Sequence, residues 1–268
     1  MKTRVKFDKP PVVEVACGVL FATSTPIKGT DVGLFWQTVK DEFPQVEEAP
    51  PLPALIETNG FDAVQEFAFG NLPPLRRSWL LSSDGRHLIQ VQEDRFLYNW
   101  KKATNDTTYP SYDVVIEGFE RHFERFVAFL ADRGVAITAY RQFELSYINF
   151  IGALNGLAVT GPSRMLMDHR RDDSRPRFLP EPETINWNSA YTLPGAAGRL
   201  HLTAQTAFYG PQRDPIVRLE ATARGVTADT SALGRRAWFD LAHEWITHGF
   251  ADSTAPELHE KDLWGRTA

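Results

Sequence analysis

The stretch from Arg76 to Gly134 sets the tightest limit on the fold. Trp79 and Leu81, then His87, Ile89 and Val91, fall on two alternating runs joined through Ser83-Asp84-Gly85, a strong hairpin signal. Phe96, Tyr98 and Trp100 continue the alternation on a third strand. Each strand thus has an apolar side and a side of Ser, Gln, Asn, Arg and Lys, and the apolar side of such a sheet must be covered. The helix that follows supplies the cover. Val115, Phe119, Phe123, Phe126 and Leu130 recur at helical spacing, while Glu117, Glu120, Arg121, Glu124 and Arg125 point elsewhere.

Upstream, Val13, Val15, Cys17, Val19 and Phe21 define a strand, and Thr30 or Asp31 is placed to cap a helix carrying Phe35, Trp36, Val39 and Phe43. Pro50-Pro51-Leu52-Pro53 is too rich in proline for regular structure and reads as an ordered crossing loop, with a strand expected near Val64 to Phe69. After Gly134 the same order returns in pattern. Phe143, Leu145 and Tyr147 alternate, then Leu200, Leu202, Ala204 and Phe208, then Val217, Leu219, Ala221 and Ala223. A last helix offers Trp238, Leu241, Ala242, Trp245 and Gly249 to the core. Thr254-Ala255-Pro256-Glu257 has the form of a capping box opening a short helix to about Leu263, with Trp264 as an anchor. The fold class expected is α+β, built as two pseudo-repeated units of strand, connection, antiparallel strands and long C-terminal helix, with the sheets covered by helices on one face. The halves are residues 1–134 and 135–268, either sharing one sheet or packed as two lobes.

Composition narrows the partners. A net charge of −5 lacks the basic footprint of a dedicated DNA-binding surface. Cys17 is the only cysteine, which removes an intrachain disulfide and a cysteine-based zinc site. The basic start is followed by a polar, proline-containing segment rather than an apolar run, and no uninterrupted apolar stretch reaches membrane-spanning length, so a cytoplasmic location without a membrane partner is the expectation.

No motif for cofactor or covalent chemistry emerges. His243 and His248 flank a zinc-protease-like run, but their five-residue separation turns them about 140° apart on a helix instead of placing them on one face. Gly195-Ala196-Ala197-Gly198 precedes a strand and reads as a turn, not a phosphate loop. A Gly-x-Ser-x-Gly elbow is absent, and Cys17 points inward by alternation. Neither a metal nor another cofactor is expected.

Alternation gathers a different set on the polar side of the second-half sheet. Glu144 and Ser146, His201, Thr203 and Gln205, and Arg218, Glu220 and Thr222 share one face, with His201 the natural proton carrier near neutral pH. The Gly161 to Glu183 loop adds Arg170 and Arg171 within a mixed run of arginines and aspartates, and a long loop of this kind is either functional or mobile. Arg76, Arg77, Lys101 and Lys102 lie beside Tyr98 and Trp100, a combination used to grip single-stranded nucleic acid, although alternation puts both aromatics on the covered face.

The chain also resembles a sporadically distributed bacterial family of uncharacterised proteins of about this length. The matching stretches are Pro10-Pro11-Val12-Val13-Glu14-Val15, Val91-Gln92 with Arg95-Phe96-Leu97-Tyr98-Asn99-Trp100, Phe143-Glu144-Leu145-Ser146-Tyr147-Ile148-Asn149, and Thr254 through Trp264-Gly265-Arg266. The resemblance implies the fold more than the function, since it brings no activity, cofactor or catalytic residue with it. The expectation is a non-catalytic binding or accessory protein with a protein partner, recognising a macromolecule through Glu144, His201, Gln205, Arg218 and Glu220 together with Arg170 and Arg171. A homodimer stays open. The alternatives are a small hydrolase or transferase built on the same face, and a nucleic-acid-binding protein.

Overall fold

Strands with one apolar side need a single cover, and among the described residues three α-helices provide it. The computed structural model describes residues 5–57, 64–66, 75–103, 109–152, 161, 164–170, 174 and 176–267. The first half runs β1 (Val12–Thr23), α1 (Gly29–Val39), β2 (Gln45–Ala49), β3 (Ala54–Ile56), β4 (Val64–Glu66), β5 (Arg77–Leu81), β6 (His87–Gln92), β7 (Arg95–Lys101) and α2 (Tyr112–Asp132). The second runs β8 (Ile137–Gly152), β9 (Asn186–Thr192), β10 (Arg199–Tyr209), β11 (Asp214–Gly225) and α3 (Ala232–Ser253). Among the described residues nine strands form one antiparallel sheet in the order β2-β5-β6-β7-β1-β8-β11-β10-β9, while β3 and β4 pair separately. The protein is therefore α+β, and β1 pairs with β8 so that the two halves share a sheet.

Strand register carries the apolar residues into one layer. Val19 sits between Phe96 of β7 and Phe143 of β8, and all three are fully buried. Phe96 is a hub, with the rings of Phe126 and Phe123 centred 5.1 and 5.5 Å away and Phe35 of α1 at 6.4 Å. Phe119 of α2 meets Phe239 of α3 at 5.0 Å, and Phe143 meets Trp238 at 5.6 Å, which joins the two long helices over the centre of the sheet. Each such phenylalanine contributes about 2–3 kcal/mol by leaving water. Gly118 lets α2 settle onto the sheet, because a Cβ there would lie 2.7 Å from the Tyr98 hydroxyl.

Several local expectations change. Leu80, not Trp79 or Leu81, enters the core, and Trp79 lies on the polar side with its indole donating to Gln90 Oε1 at 3.1 Å. Trp79-Leu80-Leu81 is a continuous apolar run, so alternation could not fix its phase, and pairing of Leu80 with Ile89 does. Lys28 is the residue at the start of α1, and Asp31 accepts from its backbone N–H at 3.0 Å rather than occupying the cap itself. The core stripe of α3 is Trp238, Phe239, Ala242, Ile246 and Phe250, with Leu241 and Trp245 at its edge. The Thr254 to Glu257 capping box does not form. Thr254 instead donates to the Phe250 carbonyl at 2.7 Å, and only a 3₁₀ turn, Pro256–His259, follows. Trp264 is buried against Phe250, as an anchor should be. Of the strand expected near Val64 to Phe69, Val64–Glu66 is present and the rest lies outside the described residues.

Burial also gives the fold a pH limit. His122 of α2 is 1% exposed, stacked 5.5 Å from Tyr98 and edge-on to Phe43 at 5.1 Å. Its removal from water holds its pKa down to about 4 despite the nearby Glu42 carboxylate. An unfolded imidazole titrates near about 6.5, so between the two values the unfolded chain holds a proton that the folded chain lacks. This contribution is complete above the unfolded value and is lost as pH falls towards the folded one. Wild type should lose about 2 kcal/mol from this group between about pH 7 and about pH 4.5. Urea denaturation at both pH values, compared with His122→Phe, isolates it. Equal acid losses in the two proteins would remove His122 as the cause.

Candidate functional site

The face away from the helices is polar, yet much of it is buried. Trp79, Gln90, Asn99 and Glu14 form a hydrogen-bonded ladder across β5, β6, β7 and β1: Gln90 Nε2 donates to Asn99 Oδ1 at 2.7 Å, and Asn99 Nδ2 donates to Glu14 Oε1 at 2.6 Å. Buried amides require such partners, and each amide here has both its donor and its acceptor side engaged.

The proline-rich connection crosses this face as a strap. Gln92 of β6 clamps Leu52, accepting from its N–H at 2.8 Å and donating to its carbonyl at 3.1 Å. Gln142 of β8 repeats the action further on, accepting from Glu57 N–H at 2.7 Å and donating to the Leu55 carbonyl at 2.8 Å. Gln92 and Gln142 are connected across the sheet by register, through Arg95 and Leu20. The strap is extended and contains three prolines, so its unpaired N–H groups are few and the two glutamines meet those at its ends.

The strap ends on a charge site. The Glu57 side chain is 4% exposed, with Oε2 2.7 Å from His201 Nε2 and Oε1 3.5 Å from Arg199 Nη1. The first contact is a hydrogen bond and the second an ion pair only. Arg199 and His201 come from β10, which the strap reaches after crossing β8. A cleft of about 160 Å³ opens beside this point, lined by Glu57, Arg141, Gln142, Thr192 and Arg199.

Alternation does bring Glu144, His201, Gln205, Arg218 and Glu220 to one face, but they do not converge on one point. Glu144 accepts from Gln142 at 2.8 Å and from Arg224 Nε at 3.2 Å. Arg218 and Glu220 pair with each other at 2.7 Å, Thr222 donates to Glu220 at 3.0 Å, and Ser146 and Thr222 share a bond of 2.8 Å. Gln205 lies opposite Arg218 in the β10–β11 ladder. His201 is committed to Glu57. Arg170 sits elsewhere, joined to Glu257 at 3.0 Å beside the C-terminal 3₁₀ turn, and Arg171 lies outside the described residues. The loop around Arg170 is docked in part, with Met165 and Leu166 buried and Met165 accepting from Ala255 N–H at 2.9 Å.

Sequence reasoning missed Glu57, Gln92, Gln142, Arg199 and Arg224. The parity that found Glu144, His201 and Arg218 also reaches Gln142, Arg199 and Arg224. Glu57 gives no such signal, because its partners are more than a hundred residues away in the chain.

Other chemistry is sparse. Among the described residues no group of three or more His, Cys, Asp or Glu is arranged to hold a metal ion. His243 stacks on Tyr112 at 4.0 Å, while His248 turns to a different surface. Cys17 is fully buried, and burial pushes its thiol pKa far up, away from the nucleophilic thiolate. Among the described residues no helix is long and apolar enough to cross a membrane. Comparison of the chain with family models, with curated proteins and with solved structures finds no match.

Proposed function

We propose that this protein is a binding or accessory module that holds an extended segment of a protein partner on the polar face of β8, β11, β10 and β9. The observation that carries this reading is the double clamp on the strap: Gln92 and Gln142 each grip main-chain groups through both ends of the amide. Such recognition uses the backbone and tolerates many sequences, the economy behind strand-like peptide binding. The same face continues past Glu57 with half-buried Thr203, Gln205, Arg218 and Glu220 and exposed Asn188. These offer amide, hydroxyl and charged groups at strand spacing to a second extended segment. The acids and bases of this face pair at separate points, His201 with Glu57, Arg218 with Glu220 and Arg224 with Glu144, instead of converging on one, which supports recognition over turnover.

Site-specific photo-crosslinking in the native cell tests it. A crosslinker at Gln205 should capture a recurring protein that one at Lys40, exposed after α1 on the helix side, does not, and Arg218→Ala should reduce that capture several-fold. Equal capture from both positions, or none from Gln205, would refute the reading.

A further inference from the structure

Among the described residues the large sheet ends in two edge strands, β2 and β9, and only β2 is guarded. An open edge shows a row of unpaired N–H and C=O groups, which proteins blunt with charge, proline, a bulge or a covering segment. β2 carries Glu47 and Glu48 and lies between Pro44 and Pro50. β9, Asn186-Trp187-Asn188-Ser189-Ala190-Tyr191-Thr192, holds neither a charged residue nor a proline. Its register with β10 runs from Asn186 opposite Gln205 to Thr192 opposite Arg199 without a bulge. Asn186, Asn188, Ala190, Tyr191 and Thr192 are all exposed.

Hydrogen bonds at the two ends of β9 show which of its backbone groups are spare. Thr206 N–H donates to the Ile185 carbonyl at 3.1 Å, and Leu193 N–H donates to the Gly198 carbonyl at 2.9 Å. The odd-numbered residues therefore face β10, and antiparallel alternation turns the N–H and C=O groups of Asn186, Asn188, Ala190 and Thr192 outwards. Among the described residues no hydrogen bond reaches these outward groups. Side chains divide the same way. Trp187, Ser189 and Tyr191 lie opposite Ala204, Leu202 and Leu200 on the helix side. Trp187 is held there by His169, edge-on at 5.7 Å, while Tyr191 remains 41% exposed.

We propose that β9 pairs with β9 of a second copy of this chain, antiparallel about a two-fold axis at Ser189, so that one sheet continues through both. The strand is complementary to itself in that register. Asn186 meets Thr192 and Asn188 meets Ala190, and each pair exchanges the outward N–H and C=O groups that a lone chain leaves to water. The closer, non-hydrogen-bonded positions set Trp187 against Tyr191 of the second copy, an aromatic pair that stabilises a strand ladder, and Ser189 against its own counterpart. A strand without charge has nothing with which to select an oppositely charged partner, whereas Trp187 and Tyr191, placed equally on either side of Ser189, match it to itself. One short strand pair buries less than the roughly 1,200–2,000 Å² of a stable interface, so the association should be micromolar or weaker. The edge is separate from the polar face, and the dimer does not depend on that face taking a segment.

Sedimentation equilibrium on the full chain, carried to roughly millimolar concentration, and disulfide trapping decide it. The wild type should pass from monomer to dimer as concentration rises. Ala190→Pro should weaken that association about tenfold or more, because proline removes an outward donor but costs no bond to β10, so the fold is kept. Ala190→Lys sets like charges diagonally across the axis and should weaken the dimer most at low salt. Circular dichroism verifies that both variants fold. Ser189→Cys should trap a covalent dimer under copper-catalysed air oxidation, since a close facing pair fits disulfide geometry. Asn186→Cys, whose counterpart lies at the far end of the ladder, should not. Cys17 is fully buried and does not compete. A wild type that stays monomeric, a dimer that survives both Ala190 substitutions unchanged, or trapping no greater through Ser189→Cys than through Asn186→Cys overturns the proposal.

Discussion

Glu57→Ala is expected to destabilise the protein by about 3 kcal/mol and to loosen the strap before anything else. Removing one member of a buried charge group usually costs about 3–5 kcal/mol, because the partner is left without compensation. Here the lower end applies: the side chains of Arg199 and His201 are 14% and 24% exposed and can regain some water. Glu57→Gln should fall between the two, since an amide can still bond to His201 but carries no charge for Arg199. Hydrogen exchange separates local from global effects. The Leu52 and Glu57 amides, which among the described residues are held by glutamine side chains, should exchange many times faster in Glu57→Ala while those of β1 and β8 keep their protection. Unchanged strap exchange would mean that the two glutamines hold it unaided, and Glu57 would lose its assigned role.

What the chain discloses of this arrangement depends on the range of the interactions involved. Alternation and helical spacing are local, and they placed Phe96, Phe119, Phe143 and Leu202 in the core and Glu144, His201 and Arg218 on the other side. They failed where the local pattern was degenerate. At Trp79-Leu80-Leu81 three successive apolar residues fit either phase, and on α3 a helix with apolar groups on several sides left its core stripe ambiguous by a fraction of a turn. The strap illustrates a different failure. Pro50 to Pro53 announced an ordered crossing, but its destination depends on Gln92, Gln142 and His201, which are 40, 85 and 144 residues from their partners. No periodicity in a single chain encodes that pairing.

Gly198→Ala is expected to be the most damaging single-atom addition near the site, with a loss of about 4 kcal/mol or more from strain, overpacking and a lost hydrogen bond. The turn between β9 and β10 is folded tightly against the end of β11, with Gly198 and Gly225 face to face. A Cβ on Gly198 would overlap the Arg224 carbonyl oxygen and stand 2.6 Å from Gly225 Cα, so backbone must move. Its φ of 124° adds strain for any residue with a side chain. The displaced turn would also withdraw the Ala197 carbonyl from the Trp238 indole, which donates to it at 2.8 Å and is 2% exposed, leaving a buried N–H unsatisfied. Gly225→Ala supplies the comparison. It makes the reciprocal clash with the Ala197 carbonyl, but its backbone is not in the left-handed region, so its cost should be smaller by the strain alone, about 1–3 kcal/mol. Urea denaturation of both variants measures the difference, and Trp238 side-chain N–H exchange reports whether the turn has lifted. Near-wild-type stability in Gly198→Ala would show that the turn can retreat freely. Arg199, the next residue, could not then owe its alignment with Glu57 to this packing.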